Sequence, residues 1–287
     1  MIEVINLSHQ YQTASGETIK ALDRVNLKIN EGEFIGIAGR NGSGKSTLAK
    51  YFNALLIPRP GEGQVVVDGR DSRKSELVWE IRQRVGMVFA NPDNQIVAPV
   101  IEEEVAFGPE NLGIPPAEIR HRVNQALNQV GMAGYEKRAP HHLSGGQKQR
   151  IAISGALAMQ PRYLVLDEPT SMLDPAGRQE VMRTLKQLNQ EAGMTIILIT
   201  HHMEELVEVD RLIVMSQGQI VLDGPPAKVF QETQVLRELS LDVPQVVKLS
   251  SMLRQLGVNV PWDVLTVDDL VDFLQPDRNP KTGNRIS

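Results

Sequence analysis

Gly39-Arg40-Asn41-Gly42-Ser43-Gly44-Lys45-Ser46 decides how the rest of the chain is read. The stretch fits G-x-x-x-x-G-K-S/T, the phosphate-binding P-loop. A triphosphate needs many donors packed close together. Three glycines let the backbone approach it and turn its N–H groups inward, and a helix starting near Lys45 adds its N-terminal dipole. Lys45 is placed to reach the β- and γ-phosphates and the Ser46 hydroxyl to ligate Mg²⁺, with Thr47 beside it in the first helical turn. The setting matches the motif. Phe34 to Ala38 is a short apolar run suited to a buried parallel strand, and Leu48 to Leu56 has helical periodicity.

The 287 residues suffice for one large domain, or a domain with an appendage. The hydrophobic fraction of 41% and charged fraction of 23% are ordinary globular values. A net charge of −5 argues against a nucleic-acid binder, which needs a positive surface. Cysteine is absent, which excludes disulfides, zinc–thiolate sites and a thiol nucleophile and suits a reducing cytosol. No apolar run reaches transmembrane length and the N-terminus lacks a signal pattern, so the expectation is a soluble chain or one held at a membrane by partners.

Upstream of the P-loop, Ile2 to Leu7 and Val25 to Ile29 alternate like half-buried strands, with a loop from Tyr11 to Glu17 between them. Tyr11 can stack on an adenine base or simply pack on a sheet edge. Downstream, Val65 to Gly69 reads as a strand and turn, Leu77 to Arg84 as a helix, Val85 to Phe89 as a buried strand, and Ala90 to Gln95 as a polar loop. From Val100 the texture turns helical, with Ala117 to Val130 as its clearest run. Leu143-Ser144-Gly145-Gly146-Gln147 opens a further helix to about Met159. A serine before paired glycines at a helix start is an anion site, and N-capping by Ser144 accounts for the serine alone.

Tyr163 to Asp167-Glu168 is a buried strand ending in two carboxylates, where ligands bind in open α/β sheets. Asp167 can hold magnesium, and Glu168 can orient or deprotonate water. Asp174 before Pro175 is a sufficient N-cap for the next helix. Met194 to Thr200 delivers His201 to the same strand-end face, where it is either structural or a γ-phosphate sensor. Arg211 to Met215 and Gln219 to Leu222 read as a hairpin. Pro244 to Leu256 and Thr266 to Leu274 read as amphipathic helices that pack on the domain or another subunit, and Pro276 to Ser287 as a disordered tail.

Taken in order, the P-loop, Leu143 to Gln147, Asp167-Glu168, Ser171 to Asp174 and His201 resemble the ABC transporter ATPase family over residues 1 to about 230. The resemblance implies an α/β P-loop NTPase fold with a mainly parallel core sheet. An N-terminal antiparallel β subdomain, a helical subdomain at about 91–160 and a C-terminal helical extension at 231–287, for dimerisation, complete it. It assigns ATP to Tyr11, to Gly39, Arg40, Asn41, Gly42, Ser43, Gly44 and Lys45, and to Ser46 and Thr47. It assigns Mg²⁺ to Ser46 and Asp167, catalysis to Glu168 and the switch residue His201, and the D-loop to Asp174. Leu143, Ser144, Gly145, Gly146 and Gln147 become the signature that contacts the opposite subunit's γ-phosphate.

The chain is more specifically similar to the energy-coupling factor ATPases, the A components related to CbiO. The shared phrases are Asn91 to Gln95, Val105 to Gly113 and Thr170 to Pro175, together with the C-terminal extension. That similarity implies an ATPase on the cytoplasmic face of the cell membrane, powering import of a vitamin or transition-metal ion. Its partners would be a second ATPase, identical or paralogous, a membrane T component and a substrate-binding S component, with no nucleic acid. Ala90 departs from the pattern: the family usually carries its Q-loop glutamine there, and a methyl group neither holds metal and water nor links the site to the membrane subunit. The departure implies an altered chain or weakened hydrolysis and coupling. The competing readings are a generic ABC importer ATPase, an ABC ATPase acting on DNA or ribosomes, and a nucleotide-binding module without catalysis. No long insertion separates Ser46 from Leu143 and only one cassette is present, which disfavours the nucleic-acid reading.

Overall fold

The computed structural model describes residues 1–12 and 16–275. The first half carries β1 (Ile2–Gln12), β2 (Thr18–Ile29), β3 (Phe34–Ala38), α1 (Lys45–Phe52), β4 (Gln64–Val67), β5 (Arg70–Asp71), α2 (Ser75–Arg84), β6 (Val85–Val88), α3 (Ile101–Asn111) and α4 (Pro116–Gln129). The second carries α5 (Gly145–Ala158), β7 (Tyr163–Asp167), α6 (Pro175–Ala192), β8 (Thr195–Ile199), β9 (Arg211–Ser216), β10 (Gln219–Gly224), α7 (Pro226–Val229), α8 (Thr233–Glu238), α9 (Gln245–Gln255) and α10 (Val267–Leu274). The expected disordered tail lies outside the described residues.

Two sheets organise these elements. β2-β1-β4-β5 is antiparallel, and β10-β9-β3-β8-β7-β6 is parallel except for its edge strand β10. The central strands are apolar but for Asp167 at the end of β7 and Thr195 at the start of β8, because both of their faces are covered. In β3, Ile35 and Ile37 enter the core shared with the antiparallel sheet and α1, whereas Phe34 and Ala38 enter the core under the helices. β7 and β8 obey the same alternation: Tyr163 and Val165 oppose Leu164 and Leu166, and Ile197 and Ile199 oppose Ile196 and Leu198. Each fully buried aliphatic side chain stabilises by roughly 1.5–3 kcal/mol. The three strands therefore form a stiff frame, and every loop leaving their C-terminal ends is held to it.

β1 and β2 run well past the short alternating stretches expected of them, to Gln12 and from Thr18. Register shifts between Val4 and Gln10 break the period of two, so the outer half of the ribbon carries no clean pattern. α7 and α8 also exceed what periodicity foresees, since helices of 4 and 6 residues show barely one turn of pattern. Val229, Phe230, Leu236, Leu241 and Val247 join the main helical core. Val260, Val264 and Leu270, between and within α9 and α10, form a small cluster of their own.

Candidate active site

The P-loop turns between β3 and α1. Gly44 has φ 104°, and a Cβ there would lie 2.4 Å from the carbonyl oxygen of Ala21 in β2. Only glycine lets the loop close against that strand. Lys45 is 4% exposed, and its Nζ donates to the carbonyls of Gly39 at 2.7 Å and Arg40 at 3.0 Å. Burial pushes this ammonium below the ordinary lysine range, against the pull of Glu168 and Asp167. Ser43 Oγ is buried without a hydrogen-bond partner.

At the end of β7, Asp167 Oδ1 accepts a hydrogen bond from Ser46 Oγ at 3.0 Å. Burial raises the Asp167 pKa, with the Ser46 bond opposing and the Glu168 charge adding to it. Glu168 adopts φ 53°, in the left-handed region, and its N–H donates to Ile199 O of β8 at 2.8 Å. That strained turn aims the carboxylate across to the β8 loop, where Oε2 lies 3.2 Å from His201 Nδ1. A cavity of about 470 Å³ is lined by Ser46, Asp167 and Glu168 and by Ala90 of the loop after β6. A second, of about 360 Å³, runs from Glu168 past Lys45, Thr47 and Asn41 to Tyr11. Tyr11 is 40% exposed there, its Oη 3.3 Å from Thr47 Oγ1 and its ring edge-on to His9.

These features fit a nucleoside triphosphate with a hard divalent cation. An ammonium bonded only to carbonyls, an unpartnered hydroxyl and a helix start all await an anion. Ser46 and Asp167 supply two oxygens 3.0 Å apart, of the kind Mg²⁺ takes alongside water and phosphate oxygens. No cluster of three or more histidine or carboxylate ligands occurs among the described residues, and magnesium bound partly through substrate needs none.

The signature residues stand apart from both cavities. Ser144 Oγ accepts from Gln147 N at 3.3 Å while Gln147 Oε1 accepts from Ser144 N at 3.0 Å, a complete capping box at the start of α5. Ser144 and Gly145 are exposed, whereas Leu143 is buried in the helical core.

The ABC transporter family profile matches residues 22–171. The chain is 55% identical to the energy-coupling factor transporter ATP-binding protein EcfA1 of Caldanaerobacter subterraneus, over 96% of this chain and 98% of that protein. It is 47% identical to the cobalt import ATP-binding protein CbiO of Syntrophus aciditrophicus, over 94% of each. The chain belongs to the ABC transporter ATPase family. Among solved structures, cbiO1 of Clostridium perfringens, described as part of the ABC transporter complex cbiONQ, superposes with a TM-score of 0.74 at 37% identity, covering 87% of this chain and 98% of that one. A dimeric ATP-binding cassette in a post-hydrolysis state, bound to ADP and Pi, gives a TM-score of 0.70 at 32% identity over 79% of this chain and 99% of that one.

Within this ABC ATPase, three features escape the linear sequence. The paired glycines at 145–146 have a packing reason beyond capping: a Cβ on Gly146 would sit 3.1 Å from the Gly177 Cα of α6. Asp174 caps α6 through Gly177 N at 3.1 Å, and the same turn is held by Arg178, whose Nε donates to Leu173 O at 3.1 Å. Arg178 Nη1 also lies 3.3 Å from His202 Nδ1, which ties the start of α6 to the turn that carries His201. The only hint in the sequence is an arginine in the first turn of a helix, where acidic residues are the usual choice.

Proposed function

We propose that this chain is the ATP-hydrolysing subunit of an energy-coupling factor importer, acting as one half of a head-to-tail ATPase pair. One observation carries the reading. The P-loop, Asp167 and Glu168 border the cavities of a single chain, with His201 3.2 Å behind Glu168, while the exposed Ser144 face of α5 borders neither. A second chain turned end for end brings its own Ser144 face to the open side of each cavity. Two sites then form per pair.

The roles follow from the chemistry of the side chains. Lys45 and the P-loop amides hold the phosphates, and Tyr11 at the cavity rim stacks on the base. Ser46 and Asp167 are the residues that would hold magnesium, which when bound neutralises charge on the phosphate oxygens. Glu168 accepts the proton of a water directed at the terminal phosphate, and His201, with Nδ1 3.2 Å from Oε2, positions the carboxylate. Closure with ATP and reopening after cleavage is a two-state change driven by the different affinities for ATP and ADP.

In the proposed architecture, residues 1–230 form the nucleotide-binding unit with a helical subdomain at about 91–160, and the extension from 231 serves dimerisation. Leu249, Met252 and Leu256 leave an exposed apolar row along α9, in keeping with that role. No helix among the described residues is long and apolar enough to cross a membrane. Attachment to the cytoplasmic face therefore goes through a membrane T component, with an S component selecting the vitamin or metal ion. A Glu168→Gln chain incubated with ATP tests the reading. A stable dimer by size-exclusion chromatography is expected, and a chain that stays monomeric while binding ATP contradicts it.

A further inference from the structure

Phe89, Ala90, Asn91, Asn94 and Gln95, on the loop after β6, line the 470 Å³ cavity together with Ser46, Asp167 and Glu168. Ala90 presents only a methyl group to it. Three amides remain. Asn91 is committed to its own turn, its Oδ1 accepting from Asp93 N at 3.0 Å. Asn94 is exposed, with no side-chain hydrogen bond among the described residues. Gln95 is half-buried, and its Oε1 accepts the Phe89 N–H at 3.1 Å.

Phe89 is in turn fixed from the signature helix. Gln149 of α5, fully buried, donates from Nε2 to Phe89 O at 3.1 Å, and Lys148 Nζ pairs with Asp93 Oδ1 at 2.7 Å. Gln95 is therefore placed relative to both β6 and α5. A backbone N–H can be met only by the amide oxygen, so the free end of Gln95 is its NH₂ group. That group has no partner among the described residues, and the side chain lines the cavity. With its oxygen turned to the Phe89 N–H, the amide directs its two N–H donors away from that bond. The free NH₂ group suits a phosphate oxygen.

The geometry points to Gln95 as the donor to the terminal phosphate of a bound nucleotide, on the wall where Ala90 offers no polar atom. This rests on the reading of the chain as an ATPase. Gln95 then separates ATP from ADP, and it is carried by a loop latched to the helix that begins at Ser144.

The test uses the full chain with Glu168→Gln, so that ATP is not consumed, and compares ATP and ADP affinities with Mg²⁺ present. Gln95→Ala should lower ATP affinity relative to ADP about tenfold or more, the usual scale for a hydrogen bond to a charged acceptor. Gln95→Glu should lower it further, because the carboxylate still accepts the Phe89 N–H but meets the phosphate with a negative charge. An unchanged ATP-to-ADP preference in Gln95→Glu overturns the proposal, since a side chain serving only to clamp Phe89 gives that result. Equal loss of both nucleotides also overturns it, as a general loop defect. Lys45→Ala run in parallel separates the two levels. If it loses both nucleotides while the Gln95 variants are silent, only this proposal falls. If it keeps tight ATP binding, the ATPase reading falls with it.

Discussion

Glu168 and His201 leave two different strands, β7 and β8, and meet with Oε2 of the carboxylate 3.2 Å from Nδ1 of the imidazole. The contact depends on the left-handed turn at Glu168, which is itself pinned by a hydrogen bond to Ile199 of β8. Strand pairing thus sets the distance between the proposed base and the residue that orients it. His201→Ala should reduce ATP turnover by about 10²-fold or more while leaving the affinity for ATP within a few-fold, the pattern of a lost acid–base partner. Steady-state hydrolysis and nucleotide titration on the same preparation check it.

Gly146 and Gly177 bring α5 and α6 into near contact. Gly146→Ala places a methyl 3.1 Å from the Gly177 Cα, so backbone must move. Overpacking of this kind costs roughly 1–3 kcal/mol. Urea denaturation should show that loss. A stability equal to that of the parent chain would mean the two helices give way without strain.

Asp68 gathers the N-terminal ammonium at 2.6 Å, the Tyr163 hydroxyl at 2.6 Å, and more distantly Arg84 and Arg162. Burial alone would raise its pKa, but the bonds from the ammonium and Tyr163, with Arg162, hold it below the ordinary carboxylate range. Its stabilisation is present above the unfolded value of about 4 and is lost as pH falls through the lower folded value. Asp68→Ala should cost about 2 kcal/mol at pH 7, the scale of charge-assisted hydrogen bonds. The acid limb of a Tm-versus-pH curve should be correspondingly flatter in the variant.

His9 and His202 carry the opposite burden. Burial holds both imidazoles below their ordinary range, with Glu62 opposing at His9 and Glu205 opposing at His202. His9 Nδ1 lies 2.8 Å from Tyr51 Oη in a buried pair. The unfolded chain takes up protons at about pH 6.5 that the folded one refuses. Stability should be full above that pH and fall on acidification below it. Folding free energy measured at pH 7.5 and 5.5 should drop less in a chain carrying His9→Gln and His202→Gln.

What the sequence made legible follows its periodicities. Phe34 to Ala38, Tyr163 to Leu166 and Ile196 to Ile199 are apolar runs because both faces of the sheet are covered, and such runs announce themselves. Asp174-Pro175 and Ser144 announce helix starts through local capping chemistry, which acts within three residues. The outer half of the β1–β2 ribbon was hidden by register shifts that scramble alternation. Arg178 bridging Leu173 and His202, Gln149 under Phe89, and Gly146 against Gly177 were hidden for another reason. Each joins positions far apart in the chain or serves a contact that no local pattern encodes.

The central claim is that each reaction chamber combines the P-loop of one chain with the Ser144 face of another. The most direct measurement is photolabelling with an ATP analogue that carries its reactive group on the γ-phosphate. It is applied to the Glu168→Gln chain in the assembled transporter, and the labelled peptides are identified by mass spectrometry. The account predicts label on the segment from Ser144 to Arg150 in the closed pair and its disappearance when the chain is diluted to a monomer. Label absent from that segment in the closed pair, or present at full strength in the monomer, would contradict it.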